Sequence, residues 1–207
     1  MRALFLIITA ICAYFLGGLN GAIITSRFVF RQDVREHGSG NAGLTNFHRT
    51  YGLSGIIMVL AIDVIKSIVA VLIGGALMNI VGEKTVGQIF AGFCLMMGHI
   101  FPAFYQLRGG KGVLCAGTLI LMVDPIVGLC CWAVFVVVVI CTRYVSLASM
   151  LSCLLAPVFM AVFKFSGLEV VLTLLCALLG VVKHAENILR LIGGSENRIS
   201  FGKTSKK

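Results

Sequence analysis

The sequence predicts an all-α integral membrane protein, a single seven-transmembrane-helix bundle with cytoplasmic glycine-rich loops. Three observations lead there. Of the 207 residues, 59% are hydrophobic and only 12% charged, whereas a soluble domain carries roughly a quarter charged residues. The apolar residues come in runs separated by short polar turns, enough for about seven spans at ~20 residues each. The basic residues collect in alternate loops, as they do in helical membrane proteins. A chain in lipid must satisfy its own backbone, so each run is read as a helix.

Residues 3–26 are apolar, uncharged and long enough to cross. They lack a small-x-small cleavage site, so they are kept as the first span rather than a signal peptide. Gly17, Gly18 and Gly21 near its end suit close helix packing. A polar segment, Arg27–Thr50, follows. Residues 52–78 form the second span, interrupted by Asp63 and Lys66. These two lie three apart near mid-span, where an isolated charge is costly, so mutual neutralisation inside the bundle is expected. Residues 86–104 form the third span.

Residues 113–123 form a short fourth span that stops at Asp124-Pro125. Eleven residues cover roughly 16 Å at 1.5 Å each, about half of a ~30 Å core. Either this helix starts earlier or the preceding loop dips into the membrane to line a polar cavity, and the second is favoured. Residues 126–141 are rich in β-branched residues yet must be helical in lipid. Residues 147–163 contain Pro157, tolerable as a kink in a packed span. Residues 168–182 form the last span, and a basic tail runs from Lys183 to Lys207.

Loops 27–50, 102–112 and 142–146 and the tail 183–207 hold 13 of the 17 Lys and Arg. Arg2, Lys84 and Lys164 lie on the other side, and Lys66 lies within a span. This asymmetry puts the N-terminus outside and the tail in the cytoplasm. The net charge of +9 is therefore an orientation signal and not a nucleic-acid surface. Eight cysteines (12, 94, 115, 130, 131, 141, 153 and 176) fall in or beside apolar runs, without CxxC pairs or metal-ligand spacing. They read as small buried hydrophobes; no metal and no cofactor is expected.

The most informative stretch is FPAFYQLRGGKG, from Phe101 to Gly112. Gly109, Gly110 and Gly112 let backbone N–H groups approach a ligand. Arg108 and Lys111 add positive charge, and a helix starting near Gly112 would aim its positive dipole end at the same spot. That is an anion cradle. A second segment, GSGNAGLTNFHR from Gly38 to Arg49, matches GxGxxG, but it lies between membrane helices instead of in a βαβ unit. It also nearly matches a P-loop, with Leu44 where the lysine belongs. What survives is donor chemistry for a phosphate from Ser39, Gly40, Asn41, Thr45, Asn46 and Arg49. In the tail, His184, Asn187 and Arg190 recur at three-residue steps and share a helical face, with Glu196 beyond. Ser146 and Arg143 could add a hydroxyl and a cation, and His99 reads equally as a buried histidine or a catalytic one. Several remote cytoplasmic segments thus offer phosphate ligands at the lipid edge, which suits a substrate both phosphorylated and greasy.

At these residues the sequence resembles the bacterial acyl-phosphate:glycerol-3-phosphate acyltransferases, the PlsY family. The matching pieces are GSGNAGLTN with Arg49, GHIFPAFYQLRGGKGV from Gly98, RYVSLAS from Arg143 and HAENILRLIGGSEN from His184, in family order across nearly the whole chain. The resemblance implies seven helices and a cytoplasmic active site. It implies transfer of an acyl group from acyl phosphate to the 1-hydroxyl of sn-glycerol 3-phosphate, giving lysophosphatidic acid and phosphate for phospholipid synthesis. The catalytic residues it implies are Ser39, Asn41, Arg49, Lys111, His184 and Asn187. The substrate-binding residues it implies are Gly40, Thr45, Asn46, Gly109, Gly110, Gly112, Ser146 and Arg190. Leu44, His48 and Leu114-Cys115 depart from the pattern and bear on acyl-chain preference. Membrane lipid is the remaining partner expected, and the reading is compatible with a monomer.

An acyl phosphate is a mixed anhydride, already activated, so the protein needs chiefly to neutralise charge and align two phosphorylated reactants. No Ser-His-Asp order or HxxxxD acid-base motif stands out. Direct attack without an acyl-enzyme follows, with the donor's own phosphate as proton acceptor and His184 as the rival base. The alternative function, a transporter of a phosphorylated solute, would require polar residues continuing through the spans, and only Asp63 and Lys66 lie at depth. An acyl-CoA donor would need room for adenine that the short loops do not offer.

Overall fold

A computed structural model of the chain describes residues 1–199. Every regular element among them is helical: α1 (Arg2–Gly18), α2 (Gly21–Val29), α3 (Leu44–Tyr51), α4 (Ile56–Asn79), α5 (Lys84–Ile100), α6 (Val113–Val123), α7 (Pro125–Thr142), α8 (Val145–Val162), α9 (Gly167–Val182) and α10 (Ala185–Ile192), with one-turn 3₁₀ helices at Val34–Glu36 and Ala103–Tyr105. Five stretches are long and apolar enough to cross a membrane: 2–29, 56–79, 84–105, 125–142 and 145–162. The pair α9–α10, bent by 59°, makes a sixth if taken as one span. α6 is too short to count by this measure.

Each of the seven expected segments is helical over most of its length, but the second starts only at Ile56 and the third ends at Ile100, before Phe101-Pro102; the other differences lie in how the segments break. The first, 3–26, is interrupted at Leu19-Asn20. Asn20 leaves helical geometry (φ −78°, ψ 116°) and its side chain accepts from Ile23 N to cap α2, as an asparagine N-cap does. The fourth does not start earlier: α6 begins at Val113 after Gly112, which sits at φ +75°. α7 starts on Pro125, with Asp124 accepting from the amides of Ile126 and Val127, the favoured arrangement of proline just inside a capped helix. α9 opens with a capping box between Ser166 and Glu169. Pro157 is accommodated inside α8.

Packing follows small residues. α1 lies against α5 and α4, and α4 against α5. A side chain at Gly17 would run into the carbonyl of Leu95, and one at Gly98 into that of Tyr14. The backbones of α1 and α5 therefore touch, as glycine allows between membrane helices. The core around this contact is built from Leu95, Met96, Val71, Ile89 and Cys115. A second, smaller cluster of Ile23, Val34, Ala42, Phe47 and Val59 anchors the polar segment after α2 onto the bundle. All eight cysteines are free, and among the described residues no histidine, cysteine and carboxylate group of three or more could hold a metal.

Candidate functional site

Four segments remote in sequence meet at one end of the bundle. The segment between α2 and α3 is organised by Asp33. Its carboxylate accepts two bonds from the Arg35 guanidinium, at 2.9 and 2.7 Å, and two from that of Arg27, at 2.9 and 3.3 Å. The Arg35 bonds hold that carboxyl well below the usual carboxylate range. Arg35 also donates to the carbonyls of Tyr105 (2.8 Å) and Arg108 (3.2 Å), tying this segment to the loop that precedes α6.

Inside the segment, Asn46 is buried and fully used. Its Oδ1 accepts from Ser39 N, and its Nδ2 donates to the carbonyls of Val34 and His37. Asn46 thus shapes the loop and has no amide group left for a ligand, which narrows its expected role as a substrate contact. Ser39, Thr45 and Arg49 are exposed and Asn41 half-buried. Their side chains form no hydrogen bond among the described residues, so their donors remain available. Gly40 turns at φ +70°.

The loop before α6 differs from expectation in one respect. The amides of Gly109 and Gly110 do not face open space. They donate to the carbonyls of Ile100 and His99, both at 3.1 Å, folding the loop back onto the end of α5. The demand for glycine at 110 is one of space: a β-carbon there would meet Ala42 O and the His99 ring. The open donors lie one step later. Among the described residues, the amides of Lys111 and Gly112 make no backbone hydrogen bond, and they lead into the first turn of α6. That turn carries the partial positive charge of a helix N-terminus. Gly112 needs its positive φ to aim it.

Lys111 reaches across to the tail, donating to Asn187 Oδ1. Asn187 Nδ2 donates to Glu196 Oε1 (2.8 Å), Ser146 Oγ donates to the same oxygen (2.9 Å), and Arg190 Nε donates to Oε2 (2.8 Å). Glu196 therefore unites the first turn of α8, α10 and Lys111. Ser146 and Arg190, expected as substrate contacts, spend their nearest donors on this carboxylate. Burial works to raise the Glu196 pKa, and the bonds from Asn187, Arg190 and Ser146 outweigh it and hold it low. Burial, followed by repulsion from Arg190, lowers the Lys111 ammonium to about 8.

His184 sits at the bend between α9 and α10 and is buried. Its Nδ1 lies 2.8 Å from the Gly180 carbonyl. A carbonyl only accepts, so Nδ1 carries the proton and Nε2 keeps its lone pair. Burial, more than any other influence, lowers its pKa, so the ring is neutral at pH 7. Directly beyond Gly112, an apolar cavity is lined by Val113, Ile120, Trp132, Phe135, Ser149 and Cys176.

The sequence reading left three residues without their part in this geometry. In the sequence Glu196 merely follows the tail motif; an acidic residue inside a basic tail is the signal it offers. Asn20, whose Nδ2 donates to Ala42 O at 3.0 Å, sits at a break that hydropathy does not reveal. His99 lies beneath Gly110, linked to Lys66. Asp63 and Lys66 pair as expected, at 2.7 Å.

The architecture defines an integral membrane protein that gathers cations, open amides and a neutral histidine at one end of a helical bundle, beside an apolar cavity. The family model described as glycerol-3-phosphate acyltransferase matches residues 7–194, and the chain belongs to that family. The glycerol-3-phosphate acyltransferase of Thermoanaerobacter pseudethanolicus is 36% identical over 196 residues, covering 95% of this chain and 96% of its own. That of Clostridioides difficile is 40% identical over 195 residues, covering 93% and 95%. The crystal structure of PlsY (YgiH), an integral membrane glycerol 3-phosphate acyltransferase in its glycerol 3-phosphate form, superposes with a TM-score of 0.84 at 30% identity. It covers 94% of this chain and 96% of its own. The lysophosphatidic acid form of that protein gives 0.82 at 28% identity.

Proposed function

We propose that this protein transfers a fatty acyl group from acyl phosphate to the 1-hydroxyl of sn-glycerol 3-phosphate, yielding lysophosphatidic acid and phosphate. The work is done at the cytoplasmic face of a bacterial inner membrane by a chain that crosses seven times, with its N-terminus outside. The observation that carries the reading is the junction at Gly112. On one side lie Lys111, the open amides and the first turn of α6; on the other the apolar cavity begins at Val113. A molecule with an anionic head and an acyl tail spans that junction. The names of the relatives supply the acceptor.

The chemistry asks little covalent work of the protein. The acceptor hydroxyl oxygen bonds to the acyl carbon, the carbon–oxygen bond to phosphate breaks, and phosphate leaves with the electron pair. Lys111 and the α6 amides offset charge on the phosphate, where donors at a partly dry site are most effective. Ser39, Asn41, Thr45 and Arg49 offer the second phosphate its ligands, and Gly40 gives their loop its turn. Asn187 orients Lys111, and Glu196 holds Asn187, Ser146 and Arg190 in place. The hydroxyl proton passes to the leaving phosphate. His184 is the second candidate to take it, favoured by one observation: its Nε2 lone pair is free because Nδ1 is committed to Gly180 O.

The deciding experiment is acyl transfer by purified protein with acyl phosphate and acyl-CoA as alternative donors. Phosphate release from acyl phosphate that depends on glycerol 3-phosphate supports the reading. Transfer from acyl-CoA alone refutes the donor, and solute uptake into vesicles without acyl transfer would favour a transporter. Near-normal turnover by His184→Gln excludes that residue as the base.

A further inference from the structure

We propose that Asp63, Lys66 and His99 form a positioning cluster that locks the two loops of the phosphate site, 37–43 and 108–112, to each other and to the bundle. None of the three has a part in the chemistry above, and all are buried, at 3%, 4% and 4% exposure. A buried ion pair is on average no more stabilising than a well-packed apolar pair of the same volume, and charge within a span is costly. Stability alone therefore does not account for its presence.

The connections do. Lys66 Nζ has four acceptors within 3.1 Å: Asp63 Oδ1 (2.7 Å), Leu19 O (2.9 Å), His99 Nδ1 (2.9 Å) and Gly17 O (3.1 Å). Asp63 Oδ1 also accepts from Gly21 N at 3.1 Å. The pair thus grips both sides of the break between α1 and α2. Asn20, the residue in that break, donates from Nδ2 to Ala42 O at 3.0 Å and so holds the first loop. An ammonium can only donate, so His99 Nδ1 accepts, the ring is neutral and its proton is on Nε2. That nitrogen faces Gly110, and the His99 carbonyl accepts from Gly110 N at 3.1 Å, holding the second loop. Ala42 O and His99 Nε2 flank the same point beside Gly110. One buried ammonium therefore sets the spacing of both loops.

The inference rests on reading these loops as the phosphate site, and its test separates the two. Three full-length variants are compared with the parent in detergent: His99→Leu, His99→Asn, and the double replacement Asp63→Leu with Lys66→Met. Asn offers an acceptor where Nδ1 stood; Leu does not. Melting temperature, hydrogen exchange of segments 37–43 and 108–112, and KM against kcat for glycerol 3-phosphate are measured. Exchange reads the loops whether or not glycerol 3-phosphate is the ligand, and parent turnover tests the function separately.

The double variant is expected to melt within about 3 °C of the parent, because both charges leave together. Its two loops should exchange about tenfold faster, with KM raised about tenfold and kcat within about threefold. His99→Asn should recover most of what His99→Leu loses. A double variant with parental melting, loop exchange and KM would overturn the proposal. So would His99→Asn behaving no better than His99→Leu while both melt like the parent. If the double variant does not fold, the contrast between the two His99 variants decides.

Discussion

The cradle at Gly109–Gly112 and the wall at His184–Glu196 belong to one site, yet they are made differently. The cradle is backbone. Its loop is tied to α5 by amide-to-carbonyl bonds, and its open donors are the amides that lead into α6. The wall is side chains, with Lys111, Asn187, Ser146 and Arg190 arranged around the Glu196 carboxylate. A backbone cradle is set by shape, so it fails abruptly when a β-carbon intrudes. A wall of side chains gathered on an ionised carboxylate is set by charge, so it responds to pH and loses function in steps.

Gly110→Ala should have the largest effect, because the added methyl meets a backbone carbonyl and the His99 ring, neither of which can swing away. A loss of at least about 100-fold in kcat/KM for glycerol 3-phosphate is expected, equivalent to ~3 kcal/mol. A loss under about fivefold in steady-state assays would show that the cradle yields, and the contrast would collapse.

Lys111→Ala comes next. Removing a charge-assisted donor costs about 2 kcal/mol, or roughly 30-fold in kcat/KM. Lys111→Arg should recover little, since the guanidinium fork does not reproduce a point charge held by Asn187. Full recovery by arginine would mean that only net charge matters on this side.

Glu196→Gln should cost about tenfold in kcat/KM, by loosening Asn187, Ser146 and Arg190 together. It should also move a pH limb. Burial and Arg190 lower the Lys111 pKa to about 8, while Glu196 pulls it back up. The charged form of Lys111 is present below about pH 8 and lost above it, so KM for glycerol 3-phosphate should rise from pH 8 upward. In Glu196→Gln that rise should begin at lower pH. A pH profile identical to that of the parent would refute the coupling.

The smallest prediction concerns stability. The folded Lys111 pKa of about 8 lies below its ordinary 10.5. Folding therefore carries a cost from this group at every pH below 8, and the cost fades as pH rises from 8 to 10.5. Lys111→Met should raise the melting temperature at pH 7 and raise it less at pH 10. Equal shifts at both values would mean that the ammonium is solvated in the folded protein.

Much of the architecture was legible in the chain because hydrophobic runs must become helices in lipid. The broken positions were less so. Hydropathy runs straight through Leu19-Asn20, since asparagine there is one polar residue among apolar ones; the freed Leu19 carbonyl is met by Lys66, which lies 47 positions away. In the site, the residue types were readable and their division of labour was not. Gly109 and Gly110 were expected to offer amides, and both amides are spent. Asn46 was expected to meet substrate, and its amide is spent on Val34 and His37. Glu196 became central only when three segments met it.

By itself the sequence determined the helical membrane class, the gathering of basic and glycine-rich segments on alternate loops, and the donor types those segments carry, because composition and spacing are local properties. Tertiary structure decided which donors remain open, where α1 ends, and that Asp63, Lys66 and His99 underlie both loops. An N–H can be spent only once, and its partner is chosen by whatever distant segment packs beside it.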